Sequence, residues 1–189
     1  VDEDNSVTFN VIANDIAAEG RSIVANSIIT SAVTHGTLVN NGDGTVTYTP
    51  AANYHGTDGF TYTITDTEGL GSNVATVSLT VNSINDAPTV TSLLNGQSIK
   101  ALDSFSYTLP ANTFTDPDGD NLTFSATKPD WLSFDPNTQT FSGMPTNNET
   151  GDTSVTVIAT DPFGESVATE LLINVVENLN GVSSAIENS

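Results

Sequence analysis

The run Asp116-Pro117-Asp118-Gly119-Asp120 crowds three carboxylates into a turn, and the strand-like Leu122-Thr123-Phe124 follows at once. Anions held this close repel one another. A hard divalent cation relieves the repulsion, because Ca²⁺ takes about 6 to 8 oxygens and accepts carboxylates, carbonyls and water in flexible geometry. The competing reading is a solvated acidic turn. The helix-loop-helix calcium motif does not fit: it needs glycine at its sixth position and glutamate at its twelfth, where counting from Asp116 gives Asn121 and Thr127. Asp161 closes a run with Val155, Val157 and Ala159 on alternate positions and opens a turn containing Pro162. It reaches the same apex if two packed sheets bring the segments together, and Asp86, just before Ala87-Pro88, is the third expected contributor.

Other chemistries find less support. His35 and His55 each precede glycine, which places them at turns, with neither a nucleophile elbow nor the paired-His spacing of a zinc site. The carboxylates cluster in one loop, which suits a cation better than the separated acid and nucleophile of a glycosidase, so no catalysis is expected. Trp131-Leu132-Ser133-Phe134 alternates as a strand, and its bulky residues are expected to fill a core rather than stack on a sugar.

Composition narrows the partners further. Lys and Arg total 3 against 23 Asp and Glu, a formal charge of -20, which argues against nucleic acid and anionic membrane surfaces and in favour of cations. Hydrophobic residues make up 37% of the chain and alternate with Thr and Ser, so folding is expected in spite of the acidity. Cysteine is absent, which leaves rigidity to burial or to a metal. No apolar run is long enough to span a bilayer as a helix.

The elements that must position these acids read as strands. Thr45-Val46-Thr47-Tyr48-Thr49 and Phe60-Thr61-Tyr62-Thr63-Ile64-Thr65 alternate between Gly, Asn, Asp and Pro clusters, and Asn41-Gly42-Asp43-Gly44 marks a hairpin. Thr65-Asp66 with Gly69 recurs as Thr160-Asp161 with Gly164, and Ile84-Asn85 recurs at the same offset as Leu179-Asn180. The fold class is therefore all-β, in two tandem domains at 1–84 and 85–180. Residues 181–189 read as a tail or the start of a further linker. Val1-Asp2-Glu3-Asp4-Asn5 reads as a linker entered midway, so the chain is expected to be part of a larger protein.

Residues 88–176 resemble the dystroglycan-type cadherin-like, or immunoglobulin-like, domain of bacterial surface proteins. Four blocks carry the resemblance: Phe114-Thr115-Asp116-Pro117-Asp118-Gly119-Asp120-Asn121-Leu122, Trp131 to Pro136, Phe141-Ser142-Gly143-Met144-Pro145, and Ala159-Thr160-Asp161. Residues 1–84 resemble the cadherin-like tandem repeat of large bacterial adhesins, through Val11-Ile12-Ala13-Asn14-Asp15, His35-Gly36-Thr37-Leu38 and the segment from Asn53 to Tyr62.

This resemblance implies two tandem seven-stranded Greek-key β-sandwich domains of the cadherin or immunoglobulin-like kind, strung in series on a cell surface with calcium at their junctions. Asn85-Asp86-Ala87-Pro88 is similar to the calcium linker of cadherins, and the Asp-x-Asp loop and late Asp of that family fall on Asp116, Asp118 and Asp161. Asp120 joins them by proximity, so the expected metal ligands are Asn85, Asp86, Asp116, Asp118, Asp120 and Asp161. The first domain has corresponding slots: Asp2, Glu3 and Asp4 in the entering segment, then Asp15 and Asp66. Its loop carries Ala17, Ala18 and Arg21 where acids are expected, so Asp4, Asp15 and Asp66 form at most a weaker set, and a plain acidic loop is favoured there. The glutamates that a preceding cadherin domain contributes have no clear match.

The expected role is a calcium-binding, extracellular adhesion or spacer module pair of a bacterial surface protein. Its expected partners are neighbouring cadherin-like domains, and homophilic protein or polysaccharide contacts are also open. The alternative is a glycan-binding accessory module of a polysaccharide-degrading enzyme or adhesin.

Overall fold

The computed structural model describes residues 1–179, so the expectation for 181–189 lies outside the described residues. Alternation of apolar residues with Thr and Ser forms strands joined by turns and loops, and helix among the described residues is limited to short 3-10 turns such as Ala25–Ser27 and Asn147–Glu149. Two compact units result, Val1–Ile84 and a second that begins at Asn85.

The first unit contains β1 (Val7–Asn10), β2 (Ile29–Thr30), β3 (Gly36–Asn40), β4 (Thr45–Pro50), β5 (Gly56–Thr63) and β6 (Ala75–Val81). They form two three-stranded sheets in the orders β1-β4-β3 and β2-β5-β6. Inward positions supply the core, with Val46 and Tyr48 from β4, Phe60 and Tyr62 from β5, and Leu79 and Val81 from β6. The β3–β4 hairpin turns at Asn41-Gly42-Asp43-Gly44, where both glycines take positive φ and Asp43 accepts the Thr45 N–H and hydroxyl. The chain start lies beside the end of β6, with Asp2 bridged in parallel to Asn82.

The His35-Gly36 and Asn53 to Phe60 motifs build one end of this unit. Asp58 accepts N–H groups from Thr34, His35 and Gly59 and the Tyr48 hydroxyl. Burial pushes the Asp58 carboxyl up, but these donors together hold it below its ordinary value. Burial first, then Asp58, pushes the Tyr48 hydroxyl up to about 12. The His35 ring stacks on Tyr54 at 4.1 Å, and a Cβ on Gly36 would stand 2.4 Å from the Thr49 carbonyl, so only glycine fits.

The second unit contains β7 (Thr89–Val90), β8 (Gln97–Lys100), β9 (Phe105–Thr108), β10 (Phe114–Thr115), β11 (Thr123–Thr127), β12 (Leu132–Asp135), β13 (Thr140–Gly143), β14 (Gly151–Thr160) and β15 (Ser166–Val176). One face carries β11-β14-β15-β8 and the other β12-β13-β9, while β7 pairs with β10. The chain crosses between faces before and after β11 and again before β14, the Greek-key path of an immunoglobulin-like sandwich. β8 runs parallel to β15, matching Gln97–Lys100 with Ile173–Val176. Val155, Val157, Ala159, Leu171 and Ile173 are fully buried against Leu132 and Phe141. Trp131 meets Phe105 edge-on and packs on this core, and a Cβ on Gly143 would stand 2.3 Å from the Trp131 carbonyl.

Candidate metal centre

The acidic loop is wound around a single oxygen. Asp116 Oδ1 accepts the N–H groups of Asp118 at 3.0 Å and Asp120 at 3.2 Å, and Gly119, at φ 79°, lets the chain turn between them. This winding leaves Asp116 Oδ2 buried without a hydrogen-bond partner on a residue only 8% exposed. Carboxylate oxygens of Asp116, Asp118 and Asp120 all lie within 4.8 Å of one another. A buried acceptor without a donor costs roughly 1–3 kcal/mol, more if charged, and a cation supplies what is missing.

The linker and the late turn close on the same loop. Asp161 follows β14, and its Oδ1 accepts N–H groups from Phe163, Gly164 and Glu165 at 2.9, 2.7 and 2.9 Å. Its Oδ2 accepts the Asn85 amide at 2.8 Å, and Asn85 Oδ1 is left buried with no partner. Asp118 Oδ2 accepts the Asp86 N–H at 2.8 Å. All six expected ligands therefore belong to one hydrogen-bonded neighbourhood of the second domain, held by the starts of β7, β11 and β15.

Its electrostatics are unbalanced. Burial pushes Asp161 up, but the Asn85 amide and the turn N–H groups outweigh it and hold the carboxyl below its ordinary value. Asp120 shifts the other way, raised by burial and then by the charges of Asp116, Asp118 and Asp161. Among the described residues, Asp116, Asp120 and Asp161 form no ion pair with a Lys or Arg. The donor set is all oxygen and strongly anionic, which suits a hard divalent cation.

The first domain arranges Asp4, Asp15 and Asp66 differently. Asp66 forms the same turn as Asp161, with Oδ1 accepting the Glu68 and Leu70 N–H groups, but its Oδ2 meets Arg21 Nη1 at 2.9 Å. The Leu70 N–H first, with Arg21 adding to it, holds Asp66 below its ordinary value against burial. Arg21 also reaches Glu68 at 2.9 Å. Asp15 accepts the Tyr62 hydroxyl, and Asp4 accepts the Asn53 N–H. Asn53 precedes β5 and Asp66 follows it, so Asp4 and Asp66 stand at opposite ends of an eight-residue strand, roughly 25 Å long. The structure does not bring these three carboxylates together.

Glu3, expected in the entering segment and left out of the weaker ligand set, lies inside the first domain. It is 1% exposed, accepts the Ile84 N–H at 2.8 Å through Oε1, and faces His55 Nδ1 at 3.8 Å through Oε2. It thereby fixes the last residue of the first domain. The signal in sequence would have been a strand-like pairing of residues 1–3 with residues 80–82, which places Glu3 inside rather than in a linker.

Residues 1–80 match the family described as Bacterial Ig domain, and residues 87–176 match the family described as Putative Ig domain. The chain is a tandem of two immunoglobulin-like domains. Among solved structures, this tandem is similar to human CDH23 EC21-23, with a TM-score of 0.51 and 17% identity, covering 80% of this chain and 59% of that one. It is also similar to protocadherin gamma B7 extracellular cadherin domains 1-4, with a TM-score of 0.49 and 13% identity over 88% of this chain and 48% of that one. A third match is an endo-fucoidan hydrolase of glycoside hydrolase family 107, with 28% identity, a TM-score of 0.44 and 81% of this chain covered. The tandem spans 24% of that hydrolase chain, so it corresponds to a minor part of it. A search of curated proteins found no match. No helix among the described residues is long and apolar enough to cross a membrane.

Proposed function

We propose that the second immunoglobulin-like domain binds Ca²⁺ through Asn85, Asp86, Asp116, Asp118, Asp120 and Asp161, and that the pair serves as an extracellular spacer or adhesion module of a bacterial surface protein. The buried Asp116 Oδ2, unpartnered among three carboxylates, carries this reading. Asn85 and Asp86 are the first residues after Ile84, so an ion that holds them restrains the linker as well as the loop. A stiffened linker keeps serial modules extended, which is what a spacer on a cell surface requires.

Calcium that binds only the folded state raises the melting temperature according to RT ln(1 + [Ca]/Kd), and extracellular modules bind at about 10⁻⁴ to 10⁻³ M. Differential scanning calorimetry in several millimolar calcium is expected to shift the unfolding of the second domain upward relative to chelator, with magnesium giving a smaller shift. Superimposable melting curves in calcium and chelator would overturn the proposal.

A further inference from the structure

Glu3 and His55 of the first domain meet because the backbone around each is held in place. The Glu3 N–H donates to the Asn82 carbonyl at 3.0 Å, and the next residue, Asp4, accepts the Asn53 N–H at 3.1 Å through its side chain. Asp4 and Asn53 are both left-handed, at φ 57° and 55°, a conformation uncommon outside glycine. This cross-tie sets the residue after Glu3 against the residue two before His55. The two side chains therefore approach each other from backbone that is already fixed.

Their meeting leaves a gap. Glu3 is 1% exposed, with Oε1 held by the Ile84 N–H at 2.8 Å and Oε2 buried without a hydrogen-bond partner. A buried carboxylate oxygen in that condition is costly, and a cation relieves it. His55 Nδ1 stands 3.8 Å from Oε2. A shared proton draws such atoms to about 2.7–2.9 Å. A tetrahedral ion bonded to both at about 2.0–2.2 Å holds them roughly 3.4 Å apart, which is nearer to the spacing seen. His55 is half exposed, so its ring can close the remaining distance while its outer side stays open to water. The nitrogen decides the kind of ion, since Ca²⁺ takes oxygens whereas imidazole with carboxylate suits Zn²⁺.

We propose that Glu3 Oε2 and His55 Nδ1 bind a divalent ion of the Zn²⁺ class, a metal chemically different from the Ca²⁺ assigned to the acidic loop. Water completes the coordination. The bound ion pins the segment that carries Glu3 to the start of β5, and with only two protein ligands its affinity is modest.

The test is titration of the whole tandem with zinc chloride in several millimolar calcium, read by the imidazole NMR resonances of His55 and His35. Saturable shifts at His55 are expected below about 1 mM zinc and ahead of any at His35, with the first domain melting about two degrees higher or more. Magnesium is expected to leave His55 unmoved. Glu3→Gln keeps an oxygen for the Ile84 N–H and is expected to weaken zinc binding at His55 by about tenfold or more, because a neutral amide is a poorer ligand than a carboxylate. Equal zinc affinity in Glu3→Gln would mean that an exposed imidazole acts alone and would overturn the proposal, as would a titration without saturation. His55→Ala, at a half-exposed position, carries the test should Glu3→Gln lose its fold: a zinc-dependent rise in the melting of the first domain that persists without the imidazole would overturn the proposal equally. Because His55 is the reporter, the result stands whether or not calcium occupies the acidic loop.

Discussion

Asp66 and Asp161 occupy the same turn in the two domains, each spending one oxygen on its own turn's N–H groups. They differ in what the other oxygen holds. In the first domain it meets the Arg21 guanidinium, so the turn is neutralised from within. In the second it meets the neutral Asn85 amide, and the carboxylates of Asp116, Asp118 and Asp120 gather within 4.8 Å of one another. One scaffold thus supports two solutions to the same electrostatic problem, an internal cation or a place for an external one.

The sharpest way to break this comparison is Asp116→Asn. The amide oxygen can still accept the Asp118 and Asp120 N–H groups, so the loop stays wound while the unpartnered anionic oxygen is lost. Calcium affinity by isothermal titration is expected to fall about a hundredfold, ~2.7 kcal/mol. An unchanged affinity would place the ion elsewhere. Next in size is Arg21→Ala, which strands the buried Asp66 carboxylate and is expected to destabilise the first domain by about 1–2 kcal/mol in urea. The calcium response of the second domain is expected to survive that change intact. Asn85→Ala removes the amide that holds Asp161 and one oxygen aimed at the ion, for an expected threefold to tenfold loss of calcium affinity, ~0.7–1.4 kcal/mol.

The smallest effects are those of pH, and they have opposite signs. Asp66 and Asp161 sit below their ordinary values, so each contributes stability that is present above that ordinary value and is lost as pH falls through the folded one. Asp120 sits above its ordinary value, so without calcium its contribution favours the fold at acid pH and is lost as pH rises through the raised value. Carboxyl-carbon NMR titration is expected to show Asp120 titrating at higher pH than Asp66 and Asp161, with its midpoint falling when calcium is added. A midpoint for Asp120 below that of Asp161 in calcium-free protein would contradict the crowding on which the comparison rests.

Much of this was legible in the sequence because local patterns carried it. Thr45 to Thr49 alternates and forms β4, Gly42 and Gly44 demand a turn, and the recurrence of Thr65-Asp66 at Thr160-Asp161 reports a repeated strand and turn. The acidic loop was visible because its members are adjacent. Arg21 meeting Asp66, Glu3 sealed beside Ile84, and Asp4 bound to Asn53 were not visible, since each depends on a pairing between residues far apart in the chain. Residues 1–3 looked like linker because Asp2 and Glu3 begin a run of three acids, Asp2 to Asp4, of a kind that seldom enters a sandwich. They pair with the end of β6 as β8 pairs with β15, and this pairing buries Glu3.

The parallel pairing of β8 with β15 also decides how the second domain answers tension. Pulling the ends of the module apart loads the hydrogen bonds between Gln97–Lys100 and Ile173–Val176 simultaneously and along the strands, so they resist as a group instead of opening one after another.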